Sequence, residues 1–227
     1  MRLLLAMLLA AAGCRGRPAA PILNYHSIGP GGASEFEVSE PAFAQQLDWL
    51  AEAGFHTISL GDLAGKRSTD RAVVLTFDDG TEDALTRALP ALQQRGMRGS
   101  FFIATGLVGK PGFLTWDGVR ALAAAGMEVG SHTVRHARLA DLGEAEVRTE
   151  LVESKRVLEA ELGRPVDLLA YPYNSVRSRV RKAAAEAGYR IGVSGVVHGG
   201  SDPLDLRRVS VTRGMTLEQF QQAVSAR

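Results

Sequence analysis

Short apolar runs alternate with amphipathic segments from residue 21 to the end of the chain. The apolar runs predict strands, and the segments with apolar positions three or four residues apart predict helices. We expect strands over 21–26, 55–60, 72–77, 100–103, 128–131, 167–171, 189–193 and 208–211. We expect helices from Ser39 to Gly54, over 82–95 with a bend at Pro90, over 116–125, 144–162 and 177–187, and after a capping box of Thr216 and Gln219.

This alternation, repeated about seven times, predicts an α/β fold with a parallel sheet that is either closed as a barrel or open and doubly wound. No repeat or linker interrupts residues 21–227, so we expect one domain there. In both architectures reactive groups lie at the carboxyl ends of strands. Polar motifs that directly follow predicted strands are therefore the candidate sites.

The composition is that of a globular protein, with 45% hydrophobic and 22% charged residues among 227. It excludes a wholly disordered chain, collagen and a disulfide-rich miniprotein. The net charge of +1 gives no support for nucleic-acid binding. The single cysteine excludes CxxC motifs and sites of four metal-binding thiolates.

The first residues have the pattern of a signal peptide. Arg2 precedes ten apolar residues, 3–12, which make about 15 Å of helix and are too short to span a bilayer. The ending before Cys14 resembles a bacterial lipoprotein signal, although Ala11 stands where that pattern prefers Leu. We therefore expect a signal peptide over 1–13, a lipid on Cys14 and a tether over 14–20, with plain secretion as the alternative.

Two adjacent carboxylates, Asp78 and Asp79, end the most hydrophobic predicted strand. Burial and like charge would raise one of their pKa values, and a divalent cation would lower it. The alternative is a solvated Asp-Gly turn. The strand context favours a functional pair.

His132 and His136 follow another predicted strand at a spacing of four residues. On one helical turn this spacing places both imidazoles on the same face, as in zinc sites. With Asp79 they make a set of two histidines and one carboxylate, which leaves a metal position open for water and substrate. After a third strand, Tyr173 and Asn174 form either a proline turn or a turn that aims a backbone N–H at an oxyanion.

The motifs 76–80, 131–136 and 171–173, in this order, resemble the signature of the polysaccharide deacetylases, the NodB-like domain of carbohydrate esterase family four. The similarity extends over roughly residues 21–220. The early 24–26 motif resembles the branch that deacetylates poly-β-1,6-linked N-acetylglucosamine, as do 114–116 and 208–211. The resemblance implies a distorted (β/α)7 barrel.

The resemblance also implies roles for individual residues. Asp79, His132 and His136 are the implied ligands of one divalent metal ion, with zinc preferred and cobalt or nickel as alternatives. Asp78 is the implied general base, and the amide of Tyr173 is part of the implied oxyanion hole. His26 is the implied general acid, with His198 as its rival.

The sequence departs from the family pattern in two places. Asn174 stands where the family usually has Gly, so the turn could be shifted. Many members also carry an arginine just before the Pro-Tyr motif, where Leu169 and Ala170 stand here. The sequence favours the loss of that arginine over its replacement by Arg208.

These features predict a metal-dependent hydrolase that removes N-acetyl groups from an amino-sugar polysaccharide and releases acetate. An O-acetyl esterase acting on another glycan is an alternative, and a non-catalytic glycan-binding lipoprotein is another. We expect a monomer without nucleic-acid partners, held outside the cytoplasm on a bacterial membrane by the lipid on Cys14. His56 is expected to be a partly exposed structural residue and Trp116 a core residue.

Overall fold

A computed structural model describes residues 20–32, 34–63, 70–195 and 202–225. The strands are β1 (Ile22–Tyr25), β2 (Ser27–Gly29), β3 (Glu37–Ser39), β4 (His56–Thr57), β5 (Ala72–Phe77), β6 (Ser100–Ile103), β7 (Glu128–Ser131), β8 (Leu168–Ala170), β9 (Ile191–Ser194), β10 (Leu206–Arg207) and β11 (Val209–Ser210). The α-helices are α1 (Glu40–Glu52), α2 (Leu60–Leu63), α3 (Leu89–Gln93), α4 (Trp116–Ala124), α5 (Glu144–Leu162), α6 (Ser178–Glu186) and α7 (Leu217–Ser225).

The main sheet is parallel and has the order β10-β9-β8-β7-β6-β5-β1-β11, with β4 paired to the start of β5. Its two ends belong to one extended segment, since β10 pairs with β9 and β11 pairs with β1. Between them, Arg208 N–H donates to Ser194 O at 2.9 Å, and Val211 N–H donates to Asn24 O at 2.8 Å. This segment nearly closes the sheet into a barrel, which confirms the (β/α)7 prediction and rules out the open sheet.

The alternation of side chains along β1 and β5 separates the core into an outer and an inner layer. Leu75 and Phe77 point outwards and pack under the surrounding helices, where the Phe77 ring stacks on Phe101 at 4.5 Å. Ile22 and Val74 belong to the second cluster, which fills the barrel. Because side chains alternate along a strand, Thr76 and Asp78 point to the same inward face as Val74.

The structure corrects three predicted elements. The helix expected over 82–95 is a π-helical turn, Ala84–Ala88, followed by α3, and Pro90 lies in the first turn of α3, where its missing N–H is tolerated. The strand expected over 55–60 pairs only at His56–Thr57, because Leu60 already begins α2. The strand expected over 189–193 begins at Ile191.

Two further sequence predictions have different outcomes. The capping box before α7 is confirmed, since Thr216 N–H donates to the Gln219 side chain at 2.9 Å and Gln219 N–H donates back at 3.2 Å. The predicted signal peptide, Cys14 and nearly all of the tether lie outside the described residues. In the part of the chain that is described, no helix combines the length and apolarity needed to cross a bilayer.

Candidate active site

The polar motifs singled out in the sequence lie at the carboxyl ends of neighbouring barrel strands. β1, β5, β7 and β8 are each followed by such a motif, and the residues concerned are His26, Asp78, Asp79, His132, His136 and Tyr173. This is the end of a parallel barrel at which loops from different strands meet. The structure therefore brings candidates from four separate parts of the sequence to one edge.

Asp79, His132 and His136 converge on a common point. Asp79 Oδ1 lies 3.3 Å from His132 Nε2 and 3.2 Å from His136 Nε2. The ligand atoms of the three residues all lie within 4.8 Å of one another. Asp79 Oδ1 is buried and has no hydrogen-bond partner in the described part of the chain. Three potential ligands thus face each other, and one of them is a carboxylate oxygen without a donor.

The donor set fits a divalent metal ion. The second ring nitrogen of His132, Nδ1, lies 2.8 Å from Ala170 O, which fixes the ring and leaves Nε2 to face the cluster. Burial raises the pKa of the Asp79 carboxyl, but His132 and His136 outweigh burial and hold that pKa well below its usual value. Two imidazole nitrogens and one carboxylate oxygen are ligands that zinc, cobalt and nickel accept.

The two histidines do not lie on a helical turn, and this part of the prediction is wrong. They occupy a loop after β7 in which Thr133 and His136 have positive φ angles of 65° and 57°. The buried Glu150 carboxylate holds the loop, because its Oε2 accepts N–H groups from Val134 at 2.9 Å and Arg135 at 2.8 Å. An irregular loop tied to α5, rather than helix periodicity, brings the two imidazoles together.

Asp78 is paired with Arg208 inside the barrel. Arg208 Nη1 and Nη2 donate to the two oxygens of Asp78, both at 2.7 Å, and the two side chains are 1% and 3% exposed. Arg208 Nη1 also donates to Asn24 Oδ1 at 3.0 Å and Thr76 Oγ1 at 3.1 Å. Burial raises the pKa of the Asp78 carboxyl, but the neighbouring Arg208 and then His132 lower it by more than burial raises it. The pKa therefore lies below its ordinary value, and the carboxylate form is favoured.

Tyr173 and Asn174 form a left-handed turn after β8, with φ angles of 57° and 54°. Within the described residues no acceptor is bound by the Tyr173 N–H. The Tyr173 side chain is 53% exposed, and its ring centroid lies 4.6 Å from that of His136. The turn therefore presents a backbone donor and an aromatic ring at the edge of the cluster.

Backbone strain is concentrated at this edge. Six non-glycine residues in the described part of the chain have positive φ, and five of them lie in these loops: Asp79, Thr133, His136, Tyr173 and Asn174. Such conformations cost free energy and persist where the surrounding structure enforces them. Their concentration at one end of the barrel marks it as the functional end.

His26 follows β1 and is half-buried beside the carboxylates. Its ring lies 4.7 Å from that of Phe36, and its Nδ1 is buried with no hydrogen-bond partner among the described residues. The next residues are anchored by Asp83, whose Oδ2 accepts Ile28 N–H at 2.6 Å. Burial lowers the pKa of His26 below its ordinary value, and Asp78 and Asp79 offset only part of this effect.

Comparison with known proteins identifies the family. A family model described as polysaccharide deacetylase matches residues 65–192, which is more than half of the chain. The chain belongs to the polysaccharide deacetylase family. The matched stretch contains the carboxylate pair, both histidines of the cluster and the Tyr173 turn.

Individual relatives agree with this assignment. YxkH of Bacillus subtilis, whose name places it in the same family, is 29% identical over 208 residues, which are 88% of this chain and 74% of YxkH. The poly-β-1,6-N-acetyl-D-glucosamine N-deacetylase of Escherichia coli K12 is 30% identical over 134 residues, covering 49% of this chain and 20% of that enzyme. Deacetylase PplD of Streptococcus pyogenes, solved in complex with acetate, has a TM-score of 0.83 at 26% identity, covering 91% of this chain and 98% of PplD.

The structure answers two questions that the family pattern raised. Arg208, on the closing segment, contacts the Asp78 carboxylate, so the structure corrects the expectation that no arginine replaces the one absent before the Pro-Tyr motif. Asn174 adopts the left-handed backbone that glycine would allow, and its side chain packs against Gly195. The left-handed turn therefore forms with Asn at this position.

The remaining candidates are placed as follows. His56 is exposed on β4, as expected, and Trp116 is partly buried against the main core cluster. His198, the rival general acid, lies outside the described residues. Sequence reasoning missed Glu150, although a signal exists, because this charged residue falls on the apolar stripe of α5 between Val147 and Leu151.

Proposed function

We propose that this polysaccharide deacetylase is a metal-dependent hydrolase that removes N-acetyl groups from N-acetylglucosamine-containing polysaccharide and releases acetate. The observation that carries the proposal is the convergence of Asp79, His132 and His136 beside the buried Asp78–Arg208 pair. A protein that only binds glycan needs neither a buried base nor three converging metal ligands.

Asp79, His132 and His136 would hold one divalent ion, for which we propose zinc, with cobalt and nickel as alternatives. When bound, such an ion supplies a Lewis acid that polarises the acetyl carbonyl and makes water more acidic near neutral pH. Asp78 is not one of the three converging ligands, and Arg208 holds both its oxygens. Each oxygen keeps a second lone pair that can accept a proton. This leaves Asp78 for proton transfer.

The chain's own residues perform the proton transfers. Asp78 accepts a proton from the attacking water, whose oxygen forms a bond to the acetyl carbon. The Tyr173 N–H donates to the carbonyl oxygen as negative charge develops on it. His26 gives a proton to the sugar nitrogen as the carbon–nitrogen bond breaks. The products are acetate and a free amino sugar.

The test measures acetate released from N-acetylglucosamine oligomers and, separately, from O-acetylated xylan oligomers, with and without a chelator. The proposal expects acetate from the N-acetylated oligomers only, loss of activity with the chelator, and recovery when zinc is added back. Acetate from the xylan oligomers alone would instead identify an O-acetyl esterase. Binding of either glycan without any release of acetate would identify the glycan-binding alternative.

We also propose that the protein is anchored to a membrane outside the cytoplasm through a lipid on Cys14. The apolar run before Cys14 supports this, because it has the length of a signal peptide. An inhibitor of lipoprotein signal processing should cause the precursor to accumulate, and Cys14→Ser should abolish acylation. Unprocessed wild-type protein found free in the cytoplasm would contradict the proposal.

A further inference from the structure

Arg138 places a positive charge at the rim of the site, two residues after His136. Its guanidinium carbon lies 4.4 Å from the centroid of the Tyr173 ring. That ring is in turn 4.6 Å from the His136 ring. The Tyr173 ring therefore lies between the Arg138 cation and His136, which is a proposed metal ligand. In the proposed mechanism, the amide of the same Tyr173 faces the reacting carbonyl.

The turn that carries Arg138 is fixed to its neighbours. Arg179, on α6, donates to Ala140 O at 2.7 Å and to Leu142 O at 2.8 Å. Ala140 N–H donates to Ser175 Oγ at 3.0 Å, which ties this turn to the loop of Tyr173. The cation and the aromatic ring beneath it are thus held on two turns that are joined to each other.

The hydrogen-bond donors of Arg138 remain available to a ligand. A guanidinium that stacks by its face keeps its five N–H donors in its plane. Arg138 is exposed and forms no ion pair with any carboxylate in the described residues. Arg135, in the same loop, differs because it forms an ion pair with Glu150. A planar fork of this kind matches a carboxylate.

We propose that Arg138 binds a carboxylate carried by the polysaccharide next to the N-acetylated sugar, which makes acidic glycans the preferred substrates. This inference rests on the proposed function and narrows its substrate class. The carboxylate can come from a lactyl ether on an amino sugar or from a uronic acid, since both present the same planar anion to the guanidinium.

The experiment compares kcat/KM for acetate release from matched pairs of oligomers. One pair is N-acetylglucosamine alternating with N-acetylmuramic acid, before and after reduction of the carboxylates to alcohols. The other pair is N-acetylglucosamine alternating with glucuronic acid, treated in the same way. The proteins are wild type, Arg138→Gln, Arg138→Lys and Arg190→Gln. Arg190 is exposed and precedes β9, at the opposite end of the barrel, so its variant controls for the loss of one charge.

Wild type should prefer one or both acidic oligomers over their reduced forms by about fivefold to tenfold, mainly through KM. Arg138→Gln should lose that preference, Arg138→Lys should retain part of it, and Arg190→Gln should keep it. The pair that shows the preference identifies the source of the carboxylate. Equal kcat/KM for acidic and reduced oligomers in wild type, or an undiminished preference in Arg138→Gln, would overturn the inference.

A second readout separates this inference from the proposed function. If no oligomer releases acetate, the proposed function fails, and calorimetric binding of the same oligomers to wild type and Arg138→Gln decides the role of Arg138. Tighter binding of an acidic oligomer that depends on Arg138 supports the inference. Equal binding of the acidic and reduced forms contradicts it.

Discussion

The buried pair of Asp78 and Arg208 gives the sharpest test of the barrel interior. Arg208→Met removes both hydrogen bonds of 2.7 Å to Asp78 and leaves that carboxylate 3% exposed without a counter-charge. It also removes the donor to Asn24 and Thr76. Methionine fills part of the volume, so the lost interaction is mainly electrostatic.

The expected cost is large on the scale of protein stability. Removing one partner of a buried ion pair typically costs about 3–5 kcal/mol, whereas a whole domain is stable by about 5–15 kcal/mol. Asp78 can relieve part of this cost by binding a proton, because without Arg208 the burial that raises its pKa is opposed only by His132 and His26. The deficit in unfolding free energy should therefore be larger at pH 7 than in acid.

The assay is urea unfolding in the presence of a chelator, applied to wild type, Arg208→Met, Asp78→Leu and the double variant. Each single variant leaves a buried group without its partner, whereas the double variant replaces the pair by two apolar side chains. The double variant should therefore recover most of the lost stability. A cost below about 1 kcal/mol for Arg208→Met, or strictly additive effects in the double variant, would refute the reasoning.

Three other predictions concern single side chains. Glu150→Gln should weaken metal binding by about 10- to 100-fold in a metal titration while the fold persists by circular dichroism, because it loosens the loop of the two histidines; unchanged affinity would contradict this. His26→Ala should lower kcat by about 10²–10⁴ with metal content intact, and a larger loss in His198→Ala would identify His198 as the acid. Burial raises the pKa of Glu128, so the contribution of this residue to stability falls as the pH rises above the ordinary pKa of a glutamate. Between pH 4 and pH 7, the free energy of unfolding measured in urea should therefore fall less for Glu128→Gln than for wild type. An equal fall in both proteins would refute this.

The sequence predicts the parts of the site that follow a strong strand. The run before Asp78 is apolar at five of its six positions, with Thr76 as the exception, and all six residues of β5 are buried. Such a run can only be a buried strand followed by its loop, so the carboxylates had to lie at the carboxyl end of the barrel. The same reasoning places Tyr173 after β8.

The parts that the sequence could not predict depend on tertiary contacts. The spacing of His132 and His136 suggests a helix, but Glu150, on a helix that begins later in the chain, captures the loop between them. Arg208 lies 130 residues from Asp78 and sits between two strands of two residues each. The sequence predicts one strand over 208–211, but the break at Arg208 and its pairing with Asp78 appear only when the barrel closes.

The division of labour between Asp78 and Asp79 is the most direct test of the proposed mechanism. Metal content and acetate release are measured on the same preparations of wild type, Asp78→Asn and Asp79→Asn. We expect one divalent ion per wild-type chain, retained metal with turnover reduced by about 10²–10⁴ in Asp78→Asn, and loss of metal in Asp79→Asn. Loss of metal in Asp78→Asn with full metal in Asp79→Asn would contradict the assignment, as would stoichiometric metal in a folded His132→Ala/His136→Ala variant.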